Sequence, residues 1–124
     1  MEDCIFCNLE PSRIEDRNEF FVAIKDLYPV TEGHTLIVPS RHVEPFFELS
    51  RDEQLAMLDM LSSQKKELSQ LDATITGFNV GINDGEDAGQ TVMHCHIHLI
   101  PRRKGDMESP RGGVRGVIPE KQKY

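Results

Sequence analysis

Apolar positions fall along this chain in short runs separated by prolines, glycines and asparagines, with one longer stretch of helical period. Glu19–Ile24 is rich in β-formers and predicts a strand. Pro29, Thr31 and Gly33 then punctuate a loop. His34–Val38 is a near-continuous apolar run ended by Pro39, which suits a buried strand. Ser50 with Glu53 three residues on is a capping box, so a helix starts near Arg51. Leu55, Leu58, Leu61, Leu68 and Leu71 recur at helical spacing, with Lys65, Lys66 and Glu67 on the wetter side. This predicts one amphipathic helix over about Arg51–Leu71. Thr76–Ile82 predicts a third strand, Asn83-Asp84-Gly85 a turn, and Met93–Ile100 a last strand stopped by Pro101. The order strand, strand, helix, strand, strand implies an α+β domain with a mainly antiparallel sheet. It is expected to span residues 1–104, with 105–124 as a C-terminal tail that has no period of its own.

The last strand changes the picture from fold to chemistry. Side chains alternate faces along a strand, so His94, His96 and His98 are expected on one face, about 6–7 Å apart. Cys95, Ile97 and Leu99 share the other face, which is uniformly apolar and belongs against the core. Packing gives no reason to repeat a costly polar ring three times. Two functional readings follow: a tri-histidine metal site, or a nucleophilic histidine held in one tautomer by its neighbours. The Gly85–Thr91 loop leads into this strand. Its glycines let backbone N–H groups approach an anion, and Thr91 can donate a hydroxyl hydrogen bond, which favours a phosphorus substrate.

Charge and cysteine content narrow the classes. Charged residues make up 28% of 124 residues and the net charge is −7. Long-range repulsion therefore argues against nucleic acid or an anionic membrane as the main partner. No apolar stretch nears the roughly 20 residues that span a bilayer, and the acidic start Met1-Glu2-Asp3 is unlike an export signal. A cytoplasmic location is expected. The three cysteines, Cys4, Cys7 and Cys95, do not suggest a disulfide framework in a reducing compartment. Cys4-Ile-Phe-Cys7 reads as half a metal site or a redox motif, and a closed tetrahedral site needs two further ligands.

With these residues assembled, the sequence resembles the histidine-triad superfamily. His94-Cys-His-Ile-His-Leu-Ile is similar to the family's signature. Gly33-His34-Thr-Leu-Ile-Val-Pro39-Ser-Arg41-His42 is similar to its upstream segment, and the likeness runs from about Cys4 to Arg103. The resemblance implies a five-stranded antiparallel sheet with one long helix, commonly paired into a homodimer. It implies that His96 attacks the α-phosphorus of a purine nucleotide, flanked by His94 and His98, with His34 holding the triad's tautomer. It assigns Asp26 to the ribose hydroxyls, and Asn83, Gly89, Gln90 and Thr91 to the phosphates and leaving group. It also implies structural zinc on Cys4, Cys7, His42 and His94. The branches acting on dinucleoside polyphosphates and on nucleoside phosphoramidates both remain open. The chain lacks the tryptophan of the second branch, and carries Asn83 where the first often has glutamine. An alternative within this likeness is a nucleotide-binding adaptor whose hydrolysis is incidental. The tail could fold over the site and supply Arg111 or Arg115, or be a free end.

Overall fold

The fold is described from a computed structural model covering residues 2–124. Five strands form one sheet: β1 (Ile14–Arg17), β2 (Phe21–Lys25), β3 (Thr35–Pro39), β4 (Ile75–Ile82) and β5 (Ile97–Arg103). They lie in the order β1-β2-β3-β5-β4, every neighbouring pair antiparallel. Among the described residues one α-helix forms, α1 (Arg51–Leu71), and it joins β3 to β4. Among the described residues no helix is long and apolar enough to cross a membrane.

The capping box forms as its spacing predicts. Glu53 N–H donates to the Ser50 hydroxyl, and Ser50 N–H donates back to the Glu53 carboxylate. Glu53 is buried because it also pairs with Arg41 at 2.7 Å. The buried face of α1 differs from the leucine stripe read in the sequence. It consists of Glu53, Ala56, Met57, Met60, Gln64 and Leu68, while Leu55, Leu58 and Leu71 are more than half exposed. These positions keep the i, i+3, i+4 rhythm as closely as the leucines do. Small Ala56 and unbranched Met57 and Met60 pack in one cluster with Phe21, Ala23, Ile37 and Ile97 of the sheet.

β1 was not legible in the sequence. Three of its four residues are charged, as suits a short edge strand that must not recruit a neighbour. β5 also differs from its prediction: it begins at Ile97 and runs through Pro101 to Arg103. Beyond Leu99 it pairs only with β4, so it is locally an edge, where a proline is tolerated.

Register decides which residues face the site. Ala23, Ile37, Ile97 and Ile82 lie opposite one another in one row, packed toward α1. Ile24, Leu36, His98 and Gly81 form the next row, which faces the other way. That second face is covered by the N-terminal segment, with Phe6 packed on Val22, Ile24, Leu36 and Val38. His98 therefore points into the layer between the sheet and the N-terminal segment, on the face away from the helix.

The tail forms two short 3-10 turns, Gly113–Val117 and Pro119–Lys121. Gly113 lies beside Asn79 of β4, and Arg111 and Arg115 both stack on Tyr124.

Candidate active site

The three triad histidines divide between two sites. Residues 94–96 precede the ladder, so the expectation of three histidines on one strand fails: only His98 lies on β5, although His96 and His98 line one cavity with their rings 5.3 Å apart. Cys95 N–H donates to Val43 O, a bond outside the ladder, and its side chain enters the helix-side core. Burial pushes that thiol up to about 11, which makes it unreactive. His94 is fully buried, and its ring turns toward His42, with centroids 5.0 Å apart. The tri-histidine metal reading fails for this reason. Among the described residues, no potential metal-holding group combines His94, His96 and His98.

A cavity of about 400 Å³ opens over His96 and His98. His34, Asp26, Asn83, Gly89 and Thr91 also line it, so these sequence-predicted site residues converge. Gln90 does not join them. It is buried, its Oε1 accepts from Gly85 N–H, and its Nε2 donates to Glu44 O and Val92 O, so it braces the loop that carries Gly89 and Thr91. Gly89 has φ 99°, a left-handed conformation that a side chain resists, which lets this loop turn beside Asn83. Neither Arg111 nor Arg115 lines the cavity.

Sequence reasoning missed the apolar wall of Ile5, Phe6, Leu27, Tyr28 and Val30, and the lone arginine, Arg13. The signal was present in the Leu27-Tyr-Pro-Val30 run, which sits in a loop yet is apolar. In the structure Leu27, Tyr28 and Val30 are 66%, 86% and 67% exposed. Apolar walls with a few convergent polar groups are what a small-molecule site needs.

Hydrogen bonds fix where the protons sit. His96 Nδ1–H donates to His94 O at 2.8 Å, which leaves the Nε2 lone pair free. Val30 N–H donates to His34 Nδ1 at 3.1 Å, so the proton of neutral His34 is on Nε2. His34 Nε2–H in turn meets His98 Nδ1 at 2.9 Å, which places the His98 proton on its own Nε2. The cavity thus holds one imidazole set up as a nucleophile and one set up as a donor. Burial holds His34 and His94 below the ordinary histidine range. Burial, reinforced by the neighbouring His96 and His34, pushes His98 down to about 4.

These depressed values predict an acid-sensitive fold. The unfolded chain binds protons at about pH 6.5 that the folded rings refuse. The unfolded state therefore binds more protons below that pH, and stability is lost as pH falls from about 6.5 toward 4. The urea midpoint is expected to be flat above pH 7 and to drop at each step from 6.5 to 5. A constant midpoint across that range contradicts the burial of neutral histidines.

The second site is the cluster of Cys4, Cys7, His42 and His94, whose ligand atoms all lie within 4.8 Å of one another. Cys4 Sγ and His94 Nδ1 are 3.3 Å apart, Cys7 Sγ and His42 Nδ1 3.3 Å, and Cys7 Sγ and His94 Nδ1 3.6 Å. Metal–sulfur bonds of about 2.3 Å and metal–nitrogen bonds of about 2.0 Å put tetrahedral ligand edges at about 3.3–3.8 Å, so the residues fit a metal ion. His94 Nε2–H donates to Pro39 O at 2.9 Å, which orients the Nδ1 lone pair toward the thiols.

The chain as a whole has known relatives. The HIT domain family model matches residues 10–105. An uncharacterised HIT-like protein of Methanocaldococcus jannaschii is 36% identical over 92% of this chain and 91% of its own length. The asymmetrical bis(5'-nucleosyl)-tetraphosphatase of Schizosaccharomyces pombe is 36% identical over 77% of this chain and 52% of its own length. A zinc-bound histidine triad family protein from Mycobacterium smegmatis superposes with a TM-score of 0.78. It is 32% identical and covers 87% of this chain and 81% of its own. With the family model matched over residues 10–105 and a relative 36% identical over most of both chains, the chain belongs to the histidine-triad (HIT) family.

Proposed function

We propose that this protein is a nucleotide hydrolase or nucleotidyl transferase that works by double displacement through His96. The observation that carries the reading is the His96 Nδ1–H bond to His94 O, which leaves Nε2 unprotonated at the cavity wall. In the first step the Nε2 lone pair forms a bond to the α-phosphorus and the bond to the leaving group breaks. The N-substituted imidazole becomes cationic, and His94 O, already accepting from Nδ1–H, stabilises that charge. His98 Nε2–H hydrogen-bonds an oxygen of the reacting group. Water or another acceptor then attacks phosphorus, the Nε2–P bond breaks, and free His96 returns.

The apolar wall of Phe6, Leu27 and Val30 suits a purine, and Asp26 suits the ribose hydroxyls. Asn83, Gly89 and Thr91 line the same cavity and suit phosphates, with Arg13 as a cation on its wall. Zinc is the ion that the two thiols and two imidazoles suit best. When bound it ties the N-terminal segment to the residue before Cys95, with no part in the phosphorus chemistry. Among the described residues no strand pairs with the outer edge of β4, and that edge, with half-exposed Val80 on it and Leu58 exposed on α1, supports a homodimer.

Dinucleoside polyphosphate is the substrate class we favour over nucleoside phosphoramidate, on the strength of the fission-yeast relative's activity. Chromatography of products from diadenosine tetraphosphate and from adenosine 5'-phosphoramidate tests this. The expected result is AMP from both, faster from the tetraphosphate, and little changed after brief chelation. Tight AMP binding without release of AMP from either substrate would turn the reading to a nucleotide-binding adaptor.

A further inference from the structure

His34 Nε2 faces a third atom besides His98 Nδ1. Asp26 Oδ2 lies 3.4 Å from it, and both side chains are largely removed from solvent. The carboxylate is aimed there by its own turn, because Asp26 Oδ1 accepts from Tyr28 N–H at 2.9 Å. The His34 proton therefore sits in a forked contact, with an imidazole nitrogen at 2.9 Å and a carboxylate oxygen at 3.4 Å.

We propose that Asp26 is a positioning residue for the His34–His98 pair. Its carboxylate holds the proton on His34 Nε2, and through that proton fixes the His98 tautomer that presents Nε2–H to the substrate. This deepens the proposed reaction and rests on its reading of His98 as a donor. It adds to Asp26 a role separate from any contact with ribose.

Two alternatives for the same three groups fail on the geometry. Asp26, His34 and His98 bring their ligand atoms close enough to hold a cation. A metal there would need the His34 Nε2 lone pair. His34 Nδ1 already accepts from Val30 N–H, and a neutral imidazole cannot offer both nitrogens as acceptors. Nor is another charge placed to do the same work. Arg103 is engaged with Asp72 and Glu32 O, Lys25 Nζ with the Thr35 hydroxyl, and Arg13 with Lys25 O. The other titratable groups that line the cavity are His96, Tyr28 and Arg13. Among the described residues, Asp26 is the one carboxylate in ion-pair contact with either ring. The electrostatics agree in direction: burial lowers both rings, and Asp26 opposes that lowering.

Asp26→Asn keeps the size of the side chain and an oxygen for Tyr28 N–H, but removes the charge. Imidazole ¹⁵N NMR of the metal-replete, ligand-free protein across pH gives a readout that needs no turnover. The His34–His98 pair is expected to take up its proton about one pH unit lower in Asp26→Asn than in wild type. Kinetics with a substrate built on 2',3'-dideoxyadenosine, which lacks both ribose hydroxyls, give the second readout. There kcat is expected to fall about 10-fold in Asp26→Asn, with Asp26→Glu recovering part of it. An unchanged titration midpoint overturns the proposal whatever the kinetics show. An Asp26→Asn loss seen with the ribose substrate but absent with the dideoxy substrate overturns it too, leaving Asp26 as a ribose contact. If neither wild type nor variant turns over substrate, the reaction reading fails, while the NMR midpoint still decides the role of Asp26.

Discussion

His96→Asn is expected to lower turnover at least about 10³-fold while leaving AMP affinity within a few-fold of wild type. The size follows from what the side chain supplies. His96 is the residue whose Nε2 is both unprotonated by its hydrogen bonding and exposed to the cavity. Asparagine can keep the contact to His94 O through its amide but has no nucleophilic nitrogen. In the proposed reading substrate binding draws on other groups that line the same cavity: Arg13, Asp26, Asn83 and the apolar wall of Phe6, Leu27 and Val30. Steady-state kinetics with isothermal titration of AMP separate the two effects. Loss of turnover together with loss of AMP affinity would mark His96 as a binding residue. Retained turnover would remove it from the chemistry.

Cys7→Ser, or thorough metal removal from the wild type, is expected to lower the melting temperature by at least about 10 °C. Cys4 and Cys7 frame a turn closed by Cys7 N–H to Cys4 O, and Phe6 inside that turn is 8% exposed. Phe6 covers the face of β2 and β3 opposite the helix and meets the edges of both His94 and His96, at 5.8 and 5.0 Å. A metal ion bridging Cys4 and Cys7 to His42 and His94, as proposed, would tie this covering segment down, and its binding energy would become folding energy. Without it, two thiols and two imidazoles hold the segment through weak contacts, and one apolar face of the sheet loses its cover. Calorimetry alongside elemental analysis checks the link. A melting temperature within about 2 °C of the metal-replete protein would mean that the N-terminal segment packs well enough without the ion.

The parts of the fold legible in the sequence are those with strong local signals. The capping box at Ser50 and Glu53 set the start of α1, and the apolar runs around Ile24 and Leu36 marked strands buried on both faces. β1 was hidden because Ile14–Arg17 is an edge strand whose charged residues serve solubility rather than a core. The leucines of α1 misled because hydrophobicity alone does not say which stripe meets the sheet. The face that does meet it carries Glu53 and Gln64, each paid for by specific partners: Arg41 and Ser50 for one, Glu67 and Asp16 for the other.

The candidate site divides the same way. His34, His96, His98, Asp26, Asn83, Gly89 and Thr91 carry a recognisable pattern and converge on one cavity. The departure of His94 from its sisters could not be read from alternation, because it depends on where the ladder begins. Val43 O, from a segment about 50 residues away, takes the Cys95 N–H and turns the chain before Ile97. Gln90 likewise looked like a phosphate ligand by its position, and only its three backbone contacts show a loop brace. The apolar wall was missed because Ile5, Phe6 and Leu27–Val30 come from two distant loops that the sheet brings together.

A covalent nucleotidyl group on His96 is detectable by intact-mass spectrometry during turnover. Protein is mixed with diadenosine tetraphosphate and quenched in neutral-to-alkaline denaturant, since a phosphorus–nitrogen bond on imidazole is labile in acid. A population heavier by one adenylyl group is expected in wild type and none in His96→Asn, with the label mapping to the peptide that contains His96. Rapid release of AMP with no adduct at any quench time, or an equal adduct in His96→Asn, would contradict it.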